Sequence, residues 1–294
     1  MKKVAAVCAA FASSTLLAAG LENPNVDSAR TTFEPEGVEQ EETAWVHGGV
    51  TVDFMSAYIW RNVVQTDQFV LQPCVWIDFT RLDPFYAGFS YWQGWDLSND
   101  RSDVYRRNLN ESDYNIHVGV TAWESEDKDT SLVFEAGHEW YTYHFTRKHD
   151  GRDASPSTRE FYLKGTFGNP IVDIYGQCSW LYDDVQDMDP GFYYEIGFNR
   201  EFELCDVLTF GLDWNTSFAD KDYSYFMTGC HERGFLGTTV KAYLSWAVCD
   251  WMSLVGSVAY TGLLNSNVRD EYDAAGAADD KDVLWGGLTA KFEF

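Results

Sequence analysis

Acidic side chains recur in the polar phase of segments that alternate apolar and polar residues. Asp53, Asp113, Glu135, Glu139, Glu160, Asp173, Glu195 and Asp213 all fall there, together with Lys164 and Lys241. Residues two apart on a strand share a face. Carboxylates gathered on the inner face of a closed sheet would ring its interior, and rings of Asp and Glu favour cations in a pore. These ten residues are the candidate pore lining. Adding Asp78, Asp96 and Glu293 to the acids, and Arg61 and Lys291 to the bases, makes the interior eleven acids against four bases. The alternative is that acids and bases pair to brace the wall, because small barrels fill their interiors with side chains. Tyr86, Trp92, Tyr141, Tyr143, Tyr175, Tyr193, Tyr243 and Trp285 share the inward phase. They offer a stacking path for flat solutes or packing at a constriction, and packing is the better expectation.

Other chemistries find little support. There is no G-x-S-x-G elbow, and His138-Glu139 lacks the second histidine of an H-E-x-x-H zinc site. A membrane phospholipase would need Ser and His together on the lipid side. His138 and Ser56 both fall in that phase, but on distant strands. The acids at Asp183, Asp184, Asp187 and Asp189, and at Asp270, Glu271, Asp273, Asp279, Asp280 and Asp282, lack calcium-loop spacing and read as solvated loops. No cofactor and no metal are expected. The formal charge of −25 argues against nucleic acid and against binding to an anionic lipid surface.

The elements that position these residues follow from the pattern. Lys2, Lys3, an apolar run to Leu17 and the small residues Ala18-Ala19-Gly20 make residues 1–20 a secretory signal. Residues 21–44 are acidic and aperiodic, the composition of a flexible periplasmic leader. From Val46 the period is two, over twelve segments near 46–60, 68–80, 85–96, 113–122, 132–140, 160–167, 172–180, 192–199, 208–215, 239–246, 253–261 and 283–294. Short connections alternate with longer ones. The pattern predicts an all-β fold: a 12-stranded antiparallel transmembrane β-barrel of up-and-down topology over residues 45–294, with both termini periplasmic. A soluble sandwich or lipocalin-like barrel would alternate in the same way. Strand count, loop parity and aromatic load favour the membrane, with Trp45, Tyr58, Trp60, Trp95, Trp123, Trp140, Tyr182, Trp251 and Tyr260 as interfacial girdles. The chain stops on Phe294, and pairing of Val283–Phe294 with Val46–Trp60 would close the barrel. Of Cys74, Cys178, Cys205, Cys230 and Cys249, Cys205 and Cys249 both fall in short connections, so a disulfide between them is an option, but service as small apolar residues is the better reading.

Ser56 to Asp67 reads S-A-Y-I-W-R-N-V-V-Q-T-D. This stretch resembles the S-x-Y-x-x-R-G-x-x-Q-T-D segment of the TorF-type porin family, with Asn62 where that family has Gly. Pro84–Phe89 is similar to the family's G-F-Y-A-G segment. Trp285–Phe294 resembles the final strand of outer-membrane proteins, whose last aromatic is read by the barrel-assembly machinery. The resemblance implies an outer-membrane barrel of loosely defined transport role, with no catalytic residues. Residues and resemblance together predict a porin-like channel for passive diffusion of small solutes, preferring cations. Its expected partners are outer-membrane lipid, the barrel-assembly machinery and small solutes or ions. A non-conducting structural or surface-interaction barrel is the alternative, and a barrel enzyme is the third reading.

Overall fold

In the computed structural model, residues 45–97, 111–143, 147–149, 152–154, 157–183, 189–275 and 281–294 are described. The expected signal and leader lie outside them. Twelve strands close into one antiparallel barrel: β1 (Val46–Met55), β4 (Val70–Leu82), β5 (Phe85–Asp96), β6 (Glu111–Glu124), β7 (Ser131–Tyr143), β10 (Ser157–Gly168), β11 (Asp173–Asp183), β12 (Gly191–Cys205), β13 (Leu208–Ala219), β14 (Gly234–Cys249), β15 (Met252–Leu263) and β16 (Asp282–Glu293). Among the described residues, two hairpins, β2 (Tyr58–Trp60) with β3 (Val63–Thr66) and β8 (Arg147–His149) with β9 (Arg152–Ala154), and two helices, α1 (Lys221–Thr228) and α2 (Ser266–Ala275), are not part of the wall.

The alternation sorts the two faces. Along β6, Tyr114, Ile116 and Val118 are exposed outward, while Asp113, Asn115 and His117 are buried within. The same outward exposure of Phe, Leu, Ile, Val and Trp runs around the wall. In water such a surface would aggregate. In lipid it is the required one, and closure leaves no unpaired edge. The architecture is that of an outer-membrane barrel. The seam is formed by β1 and β16, with Gly49 opposite Glu293. It extends to the last residue: the Phe294 N–H donates to the Gly48 carbonyl at 3.0 Å, and the Gly48 N–H donates back at 3.1 Å.

The first strand departs from expectation. It leaves the wall after Met55, and the chain turns inward as the β2–β3 hairpin before returning as β4. Tyr58 and Trp60, expected in the interfacial girdle, are buried inside the barrel with Ile59, Val63 and Val64. They fitted the girdle by position and type, but Arg61 and Asn62 form a two-residue turn with φ of 51° and 64°. Hairpin turns with both central residues left-handed match the strand twist, and Asn tolerates that region well after Gly. That accounts for Asn62 in a place where Gly is also suited. Asn62→Gly should keep the turn but cost about 1 kcal/mol or more, because it removes the buried side-chain bonds to Ser217 and Thr239. Asn62→Val should cost about 1–2 kcal/mol from backbone strain alone, read as a lowered urea midpoint in micelles.

The long connection after β13 also folds inward. Asp220 caps α1, accepting from the Tyr223 N–H at 2.8 Å, and Gly229 ends it at a φ of 77°. Partial burial raises the Asp220 carboxyl above the usual range, opposed by the backbone N–H groups of Phe192 and Asp222. Tyr223 of α1 sits directly over Gly191, where a β-carbon would strike its backbone. Hairpin, helix and wall share one apolar cluster inside the barrel, including Met55, Ile59, Trp60, Leu181, Tyr193, Tyr223 and Leu236.

Candidate functional site

At the hairpin the lumen is filled. Each of the twelve wall strands contributes an inward side chain of at most 5% exposure near this level or just below it: Met55, Gln72, Trp92, Asp113, Glu139, Glu160, Ser179, Tyr193, Ser217, Thr239, Thr261 and Trp285. The hairpin tip spans the layer. Arg61 is 3% exposed and reaches the β7–β10–β11 side, pairing with the fully buried Glu160 through two N–H groups, one of them at 2.9 Å to Oε2. Glu139 lies 3.8 Å from the same guanidinium. Ser179 and Tyr141 oxygens lie at 3.3 and 3.4 Å from Nη2. The guanidinium also stands over the rings of Tyr193, Trp60 and Tyr223 at 4.5, 4.9 and 5.1 Å. Asn62 reaches the opposite wall, donating to Ser217 at 3.1 Å and accepting from Thr239 at 2.5 Å. Tyr58 donates to Glu111 at 3.1 Å. A charge-assisted, two-pronged pair supported by neighbouring polar groups holds the tip in one geometry.

Below the hairpin, phenols hold the inward carboxylates. Tyr86 and Tyr162 both donate to Glu135 at 2.8 Å. Tyr175 donates to Glu195 at 2.7 Å, Tyr193 donates to the other oxygen, and Tyr243 donates to Glu201 at 2.6 Å. Several of these rings lie across a glycine on the next strand: Tyr86 opposite Gly119, Tyr162 opposite Gly137, Tyr175 opposite Gly197 and Tyr243 opposite Gly211. A β-carbon at any of these glycines would collide with the facing ring. Glycine in a strand marks such a close approach. Gly119→Val should swing Tyr86 away from Glu135 and cost about 1–3 kcal/mol as overpacking, measured against wild type by urea unfolding.

All ten residues expected to line the pore face inward, but they do not form one ring. Glu139 and Glu160 meet at Arg61. Asp113 lies opposite Trp92 and Tyr141 in the same layer. Glu135, Lys164, Glu195 and Asp213 lie lower and are half-buried. Lys164 stands 4.9 Å from the Tyr175 ring, and Lys241 pairs with Asp213 at 3.0 Å. Asp53 accepts from Thr289 across the seam, and Asp173 accepts from the Asn169 N–H at 3.1 Å, bracing a short turn. Sequence reading missed Glu111 and Glu201. Each lies two residues beyond a predicted strand end in the inward phase, so a longer strand would have included it. Of the expected inward rings, Tyr86, Trp92, Tyr141, Tyr175, Tyr193, Tyr243 and Trp285 are buried within, and Tyr143 is partly buried against the same cluster.

The outer face carries no hydrolytic constellation among the described residues. His138 lies among Trp140, Phe161 and Tyr182, with Nε2 2.5 Å from the Tyr182 hydroxyl. Ser56 accepts from the Gly286 N–H at 3.1 Å. No disulfide joins any of Cys74, Cys178, Cys205, Cys230 and Cys249, so Cys205 and Cys249 are not paired. No group of three or more potential metal ligands occurs among the described residues. Of the loop acids, Asp282 is exposed and forms a surface ion pair with Arg269 at 2.5 Å, while Asp184, Asp187, Asp279 and Asp280 lie outside the described residues.

No family model matches the chain, and no curated protein matches it. Among solved structures it is similar to an outer-membrane channel from Pseudomonas putida F1, at 9% identity over 89% of this chain and 100% of that one, with a TM-score of 0.49. It is similar to the KdgM porin at 8% identity, over 84% of this chain and 99% of that one, with a TM-score of 0.43. Outer membrane phospholipase A from Escherichia coli is similar at 14% identity, over 84% and 92% of the two chains, with a TM-score of 0.46. Likenesses this distant carry nothing about activity.

Proposed function

We propose that the protein is a porin-like outer-membrane channel for small solutes, that the structure is its closed conformation, and that it prefers cations when open. The observation that carries this reading is the nature of the closure. The wall is complete without β2–β3, since β1 pairs directly with both β4 and β16. The lumen is filled by elements laid into it, and a laid-in element can move while a wall strand cannot. Cation preference is supported by Glu111, Asp113, Glu139 and Glu160, which share the constriction with the single cation Arg61 among the described residues of that layer. Placing the short-turn end and both termini in the periplasm, and reading Val283–Phe294 as the strand recognised by the assembly machinery, belong to the same proposal. So does membership of the TorF-type family, supported by Ser56–Asp67 and Pro84–Phe89.

Refolded protein in planar bilayers should open in discrete steps, with a reversal potential on the cation side in a KCl gradient. A reversal potential near zero or on the anion side would remove the selectivity claim. The filled lumen equally favours a second reading, a non-conducting barrel that works through its loops. Silence at every voltage, persisting after the hairpin is removed, would establish that second reading.

A further inference from the structure

We infer that the cage around Arg61 is a recognition site for a guanidinium-bearing solute, which the hairpin fills with its own arginine. The inference names a solute class for the proposed channel and rests on that reading only for the solute's passage, not for its binding. Six groups define the cage: Glu139, Glu160, Tyr141, Ser179, Tyr193 and Tyr223. All six belong to the wall or to α1, and Trp60 alone is supplied by the hairpin. The site therefore persists when the hairpin leaves.

Its chemistry is specific to a planar cation. Glu160 receives two N–H groups on separate oxygens, the fork that a guanidinium presents and an ammonium does not. Tyr193 and Tyr223 stand at cation–π distance from the same carbon. With the hairpin docked, Glu139 and Glu160 are both 0% exposed, and they face each other on adjacent strands. Withdrawal of Arg61 leaves two neighbouring carboxylates with no cation between them, and like charges this close repel until a cation or a proton separates them. The occupant that fits is one carrying a free guanidinium, either as a small solute such as arginine or as an arginine side chain of a peptide.

The test is thermal unfolding of Arg61→Ala protein in micelles with low millimolar methylguanidinium, methylammonium, L-arginine or a short peptide containing arginine. Methylguanidinium should raise the midpoint saturably, with half-saturation at least ~10-fold below that of methylammonium because only the former makes the planar fork. Adding Glu160→Gln should abolish the response. A response to L-arginine assigns the site to the free solute, and a response to the peptide alone assigns it to a peptide-borne side chain. Equal responses to the two simple cations, or none, would overturn the inference. Should Arg61→Ala refold poorly, the refolded fraction with and without methylguanidinium becomes the readout, and no recovery counts against the site. A saturable response in a barrel that never conducts would keep the site while removing the channel.

Discussion

Excising residues 57–66 and joining Ser56 to Asp67 through a short glycine turn should convert a mostly closed barrel into a steadily open pore. The hairpin contributes Tyr58, Ile59, Trp60, Val63 and Val64 to the interior cluster, and Arg61 and Asn62 to opposite sides of the lumen. None of these residues belongs to a wall strand, so the twelve-stranded ladder is untouched. The variant should still run as a folded barrel in semi-native electrophoresis. Without Arg61, Glu139 and Glu160 face the pore unopposed, so cation selectivity should exceed that of wild-type openings. Single-channel recording reads both effects. A folded variant that remains silent at every voltage would remove the gating role of the hairpin and leave the non-conducting reading.

The second large effect concerns stability. Glu160→Ala removes the two-pronged partner of Arg61 together with the acceptor of Tyr223, whose hydroxyl donates to Glu160 at 3.1 Å. Breaking one side of a buried ion pair costs about 3–5 kcal/mol, because the remaining charge stays desolvated. The loss should appear as a lowered urea midpoint and as more frequent openings in the bilayer, since the same contacts hold the tip. Arg61→Leu combined with Glu160→Leu and Glu139→Gln should recover much of the stability, as apolar replacement of a whole pair often does, with Glu139 made neutral so that no buried charge is left alone. If that triple variant were as unstable as Glu160→Ala, the cost would lie in packing rather than in a guanidinium left with Glu139 alone.

The wall was legible because a half-buried strand writes its two faces into alternate residues. All twelve strands could be found in that way, and so could the inward positions of Asp113, Glu139 and Glu160. The hairpin was not legible by the same rule, since Tyr58 and Trp60 suit an interfacial girdle as well as they suit a filled lumen. Periodicity cannot tell two apolar environments apart. The informative signal was the Arg61-Asn62 pair between apolar runs, which reads as a tight turn once left-handed φ is allowed for. Helix α1 had a similar mark, an Asp220 cap with Gly229 nine positions later. The phenol–carboxylate pairs were beyond reach, because a Tyr meets its facing Gly only when strand register is known.

The hairpin touches partners far along the chain. Arg61 and Glu160 are 99 residues apart, Asn62 and Ser217 are 155 apart, and Asn62 and Thr239 are 177 apart. Such contacts form slowly, since each must wait for a long loop to close. Although β2 and β3 emerge early in synthesis, their docking surface is finished only when β14 has joined the wall. Sealing is therefore placed at the end of folding, and a barrel that stalls partway would leave its passage unblocked. Docking of the hairpin thus depends on a nearly complete wall.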